Sequence, residues 1–153
     1  MATTRITPDK DAVVSEIEIA APPDRVFEAL TNRAQALQWG SNPAFRMTRW
    51  EMDARPGGTW RFTSLETASS REYDHHGTMV EVDPPRVLAY TWFANFHKDP
   101  THPTLVRWEL TPIATGTHVR VTHSGLAKLP DECIAYSQGW PGLVAALKAY
   151  LEK

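Results

Sequence analysis

Apolar and polar side chains alternate with period two at several places along the chain. Val13, Ser15, Ile17 and Ile19 oppose Val14, Glu16, Glu18 and Ala20. This pattern predicts an antiparallel strand, half buried, with its charges on the solvent face. Ala21-Pro22-Pro23-Asp24 then gives a helix start: Pro suits the first turn, and Asp meets the positive end of the helix dipole. Val26, Phe27 and Leu30 follow at helical spacing, so a short helix is expected over 23–31. A second short helix carries Ala36, Leu37 and Trp39 and ends at Gly40. Strands are predicted from Phe45, around Trp60 and Phe62, over Tyr73 to Val82, and over Val87 to Phe93. The turn signals Arg55-Pro56-Gly57-Gly58 and Asp83-Pro84-Pro85-Arg86 separate them. Two clean alternations follow. Val106, Trp108 and Leu110 oppose Arg107, Glu109 and Thr111; Val119, Val121 and His123 oppose His118, Arg120 and Thr122. After Gly125 the period lengthens: Tyr136, Trp140, Leu143, Val144, Leu147 and Leu151 form one face of a long helix, about 132–152. A bend or restart is expected at Gly139-Trp140-Pro141.

The predicted order is strand, two short helices, several antiparallel strands, one long helix. A sheet with one apolar face needs a cover, and only the last helix carries a stripe long enough. The expected class is therefore α+β, with a curved antiparallel sheet wrapped around the C-terminal helix. Residues 1–12 read as a loose N-terminal arm and 13–153 as a single domain. The inward face takes Ile17, Ile19, Trp60, Phe62, Leu88, Tyr90, Trp92, Val106, Trp108, Val119, Val121 and His123 from the strands.

Composition narrows the function. With 42% hydrophobic and 22% charged residues, the chain has enough apolar material for a core, which argues against disorder. The net charge of −2 leaves no basic excess for a nucleic-acid backbone or an anionic membrane surface. The longest apolar run, Leu143 to Leu147, is far too short for a membrane span, and Met1 to Lys10 lacks the apolar core of a signal peptide. A cytoplasmic protein is expected. The single cysteine, Cys133, excludes an internal disulfide and any Cys-rich zinc site.

Several segments in order are similar to a known family. Residues Ile17 to Thr31 resemble the opening of the START-like superfamily, also called SRPBCC or polyketide cyclase-like. Arg55-Pro56-Gly57-Gly58, Glu81-Val82-Asp83-Pro84-Pro85, Tyr90-Thr91-Trp92 and Gly139-Trp140-Pro141-Gly142 resemble the bacterial AHSA-type branch, named for homology to an activator of the heat-shock protein 90 ATPase. The resemblance covers about residues 13–152. It implies a helix-grip fold with an elongated cavity between sheet and helix. Members of the superfamily bind lipids, hormones and polyketides, and some are cyclases.

Tryptophan (6) outnumbers phenylalanine (5) and tyrosine (4), and rigid rings both fill cores and line small-molecule sites. Together with the resemblance, this points to a cavity lined by Trp39, Trp60, Phe62, Tyr90, Trp92, Trp108, Tyr136, Trp140 and Val144, at the end of the sheet nearest the short helices. Its expected ligand is a small apolar or aromatic molecule, with no cofactor. An alternative is a cyclase- or aromatase-like enzyme in which His123, His76 or Tyr136 moves protons. Adjacent strand residues face opposite sides, and His76 rather than His75 is in phase with Val80 and Val82, so His76 is expected inside. A further alternative is a chaperone-associated interaction module, which requires an exposed apolar patch that the polar outer strand positions do not offer. The His97-to-His102 segment holds two His and an Asp, but nothing regular fixes their geometry; it reads as a loop, and no metal is expected. Free sheet edges would allow a homodimer.

Overall fold

The computed structural model describes residues 2–153. Eight strands and three helices follow the chain as β1 (Thr3–Ile6), β2 (Val13–Ile19), α1 (Pro23–Thr31), α2 (Arg33–Trp39), β3 (Phe45–Met52), β4 (Thr59–Glu66), β5 (Glu72–Asp83), β6 (Val87–Ala94), β7 (Thr104–Ile113), β8 (Gly116–Ser124) and α3 (Pro130–Leu151). The strands form one antiparallel sheet in the order β1-β2-β8-β7-β6-β5-β4-β3. The class is α+β and the architecture is a helix grip. Among the described residues, no helix is long and apolar enough to cross a membrane.

Local chemistry sets the element ends. α1 starts on Pro23 with Asp24 in its first turn and buries Val26, Ala29 and Leu30. Asn32 separates the two short helices: its side chain accepts from the Gln35 N–H at 3.1 Å and caps α2. The turn into β4 places Gly57 at φ +80°, a conformation open to glycine without strain.

The N-terminal segment is not a loose arm. Thr3 to Ile6 pairs with β2 in register Thr3↔Glu16 to Ile6↔Val13. Alternation is invisible in four residues, and backbone pairing to the edge of β2 supplies the order. The restart weighed at Gly139-Trp140-Pro141 does not occur: α3 runs unbroken through Pro141. A proline there removes one helical hydrogen bond, but Cys133, Trp140, Val144, Leu147 and Leu151 are buried along the same helix. Burial on both sides of the proline outweighs that local loss.

The core lies between the concave sheet face and α3. Val13, Ile17, Ile19, Leu88, Val106, Trp108, Val119, Val121, Val144 and Leu147 are all at most 3% exposed. The sheet residues assigned inward by alternation belong to this cluster or pack on it, apart from His123, which is buried beside it at 0% exposure.

Candidate functional site

One hollow of about 380 Å³ opens between the β3–β6 half of the sheet and the first half of α3. Its sheet wall is Phe45, Phe62, Ser64, Tyr73, His75 and Trp92, with Phe96 from the β6–β7 loop. Its helix wall is Ala135, Tyr136, Gly139, Trp140 and Leu143. Ala135, Gly139 and Leu143 recur every four residues and are exposed, so they form the mouth. A Cβ built at Gly139 meets nothing within 4 Å. A larger hollow, about 760 Å³, lies on the outer sheet face around His76, Phe93, Glu51 and Arg61. It is wider but has charged walls and no helix to cover it, so it is the poorer ligand site.

The mouth lies away from α1, against expectation, while α2 packs on β3 beside the Phe62 wall. α1 sits by the β5–β6 turn, where Phe27 and Thr31 share a surface hollow with Pro84 and Pro85. The cavity lies toward the opposite end of β6, beside Trp92 and the loop that follows. Of the nine residues expected to contact a ligand, Phe62, Trp92, Tyr136 and Trp140 line it. Trp39, Trp60, Tyr90, Trp108 and Val144 are core residues outside the lining. Their polar atoms are satisfied within the fold. The Trp39 indole donates to the Ala29 carbonyl, Trp60 to the Thr91 carbonyl and Trp108 to the Tyr90 hydroxyl, each at 2.8–2.9 Å.

His76 is a correction. It is exposed and stacks on Phe93 on the outer face, centroids 5.2 Å apart. His75 is the inward residue, at 6% exposure. The cause is a bulge between Met79 and Glu81. Before it, His75, Gly77 and Met79 point in; Val80, at the bulge, is 56% exposed, and after it Val82 packs on the core. Reading back from Val80 and Val82 therefore gives the wrong face. Gly77 carries a second irregularity, since a Cβ there would stand 1.9 Å from the Thr91 carbonyl oxygen.

His75 lies directly across the ladder from Phe62 and stacks on it at 3.9 Å and 11°. Its Nδ1 is buried with no hydrogen-bond partner among the described residues. Desolvation pushes its pKa from 6.5 down to about 3, with the nearby Phe62 backbone opposing and His97 adding to the fall. It is therefore neutral at physiological pH.

His123 is fully enclosed. The Thr104 hydroxyl donates to the Trp92 carbonyl at 2.6 Å, so it accepts from His123 Nε2–H at 2.9 Å. The Trp140 indole donates to His123 Nδ1 at 3.2 Å. These partners fix the Nε2–H tautomer and leave neither nitrogen free. Burial also drives this pKa to about 3, with the His97 and His75 charges adding to it.

Tyr136 joins the cavity to the β6–β7 loop. Its hydroxyl accepts from the Trp92 indole at 3.0 Å and shares a 2.6 Å hydrogen bond with His97 Nε2. Burial raises the phenol pKa above its ordinary value. Burial lowers that of His97, with the Glu132 charge opposing. Glu132 accepts from the Lys98 backbone N–H at 2.6 Å and ties the loop to the start of α3. The segment read only as loop thus delivers a buried His97, 3% exposed, whose Nδ1 has no partner among the described residues. His102 turns away and bonds the Gly125 carbonyl. No group of three or more His, Cys, Asp or Glu arranged to hold a metal occurs among the described residues.

Phe45, Tyr73, Phe96, His75 and His97 were not anticipated at the site. Phe96 and His97 lie in a loop, where no period exists to assign a face. His75 left one signal, the in-strand Gly77, which marks a close backbone approach and an irregular strand.

The family model for "Activator of Hsp90 ATPase homolog 1-like protein" matches residues 20–152. The chain belongs to this family. Solved structures share its fold. A Rhodobacter sphaeroides protein is 19% identical, with a TM-score of 0.86 over 99% of both chains. A Chromobacterium violaceum protein is 24% identical, with a TM-score of 0.80 over 94% of this chain and 99% of that one. The AHSA1 protein of Silicibacter pomeroyi is 21% identical, with a TM-score of 0.79 over 92% of this chain and 97% of that one. At these identities the likeness is one of fold. No curated protein matches the chain. As an AHSA1-like protein, the chain shares with its relatives a helix-grip frame; the cavity lining described above is read from its own residues.

Proposed function

We propose that the protein binds a small apolar or aromatic molecule in the cavity between β3–β6 and the first half of α3. The observation that carries this reading is a hollow of about 380 Å³ walled by aromatic rings and left open along the helix by Ala135 and Gly139. That volume falls within the range of small-molecule sites, roughly 300–1,000 Å³. An interaction module is less well supported. The large exposed apolar residues, Ile6, Val80, Ile134 and Leu143, are dispersed over three elements among the described residues.

Gly139 supplies the test. A leucine there has room for its Cβ and projects at the mouth without disturbing the core. N-phenyl-1-naphthylamine should brighten with the wild type. Gly139→Leu should weaken its binding by about tenfold, the equivalent of roughly 1.4 kcal/mol, with a melting temperature no lower than the wild type's, since leucine is the better helix former, while Arg120→Ala on the outer face should leave binding intact. Equal affinities for all three proteins would remove the cavity assignment.

A catalytic reading persists in one form, favoured by the 2.6 Å contact of Tyr136 and His97. If His97 Nε2–H donates to Tyr136, the phenol proton is released toward the cavity and becomes a donor for a carbonyl oxygen. His123, with both nitrogens engaged, plays no part in it. Loss of turnover in Tyr136→Phe, on any aromatic polyketide-like substrate that the wild type converts, would support it; equal rates would end it.

A further inference from the structure

The polar content of the cavity defines its ligand more narrowly. Resting on the reading of the cavity as a ligand site, we infer that the ligand is an uncharged planar aromatic bearing a hydroxyl group, anchored by a hydrogen bond to His75.

Three observations converge. First, none of the residues lining the cavity carries a formal charge. Arg71 lies near the rim but stacks over the Tyr73 ring at 4.7 Å and is not part of the lining. A carboxylate or phosphate entering this space would lose hydration and find no counter-charge. Second, the walls are planar. His75 and Phe62 stack on each other, and Trp92 meets both edge-on, at 5.0 and 5.5 Å. A flat ring continues such a stack where a branched chain would leave gaps. Third, the polar group is already buried and lacks a partner. His75 is 6% exposed and lines the cavity; its Nδ1 is shut off inside the wall, and its Nε2, the ring nitrogen a ligand can reach, makes no hydrogen bond among the described residues. Tyr136 and His123, by contrast, are already bonded to the fold. A buried imidazole short of partners favours a ligand that completes it. A hydroxyl both donates and accepts, so it meets either tautomer of the ring, which an ether or an amine cation does not.

Calorimetric titration of the intact protein with 2-naphthol, naphthalene and 2-naphthoate separates the elements of this proposal. 2-Naphthol should bind roughly 3- to 10-fold more tightly than naphthalene, the value of one net neutral hydrogen bond. 2-Naphthoate should bind more weakly than either. His75→Phe, which keeps the ring and its stack on Phe62, should abolish the preference for 2-naphthol while still binding naphthalene. His75→Gln, which restores a donor and an acceptor, should recover part of it. Naphthalene binding as tightly as 2-naphthol in the wild type, or an undiminished preference in His75→Phe, would overturn the anchor. Tightest binding of 2-naphthoate would overturn the neutrality of the ligand and point to Arg71. Binding of none of the three would overturn the cavity reading itself, and with it this inference.

Discussion

The indole N–H groups divide the six tryptophans by role. Trp39 and Trp60 tie distant backbone segments together, and Trp108 bonds a buried tyrosine. Trp92 and Trp140 instead hold Tyr136, in the cavity wall, and His123, enclosed behind it. Trp50 Nε1 is buried without a partner among the described residues. The Trp108–Tyr90 pair is the sharpest test of the core. Tyr90→Phe leaves the Trp108 N–H unpaired at a site only 2% exposed. It should lower unfolding free energy by about 1–3 kcal/mol in a denaturant titration, with binding of the naphthylamine probe unchanged. A loss of probe binding in a fully folded variant would place Tyr90 in the site rather than beneath it.

At the scale of elements, periodicity made the helices and the β7–β8 hairpin readable. Strict alternation in Val106 to Leu110 and Val119 to His123 matches the observed register Val106↔His123 to Leu110↔Val119. The same logic failed in β5, because one extra residue at Val80 reverses the inward face and the sequence carries no mark of a bulge beyond the nearby Gly77. Pro141 does not split the helix: proline opposes helix locally, but α3 is held by its buried stripe on either side. The site itself was legible only in part. Phe62, Trp92, Tyr136 and Trp140 lie on periodic elements and were readable as inward-facing. Phe96 and His97 lie in a loop whose path is set by tertiary ties such as Lys98 N–H to Glu132. Such ties join residues far apart in the chain and leave no local pattern.

At the scale of the molecule, the buried histidines couple stability to pH. His75 and His123 have their pKa values pushed to about 3 in the fold, against 6.5 for a free side chain. Between these values the unfolded chain holds more protons than the native state. Stability therefore rises with pH through this window, is fully present above about pH 6.5, and is lost as pH falls. Each histidine contributes at most about 1.4 kcal/mol per pH unit. Scanning calorimetry should show a melting temperature that drops between about pH 7 and pH 5, with a shallower drop in His75→Phe. A flat profile in the wild type would mean that these imidazoles are not held neutral.

The central claim is that the hollow beside Trp92 and Trp140, and no other part of the core, receives a ligand. Nitrogen-15 NMR of the tryptophan indole N–H groups during titration with 2-naphthol tests it most directly. The Trp92 and Trp140 signals should shift progressively and saturate, while those of Trp39 and Trp108 hold their positions. Shifts of equal size in all of them, or none at Trp92 and Trp140, would contradict the account.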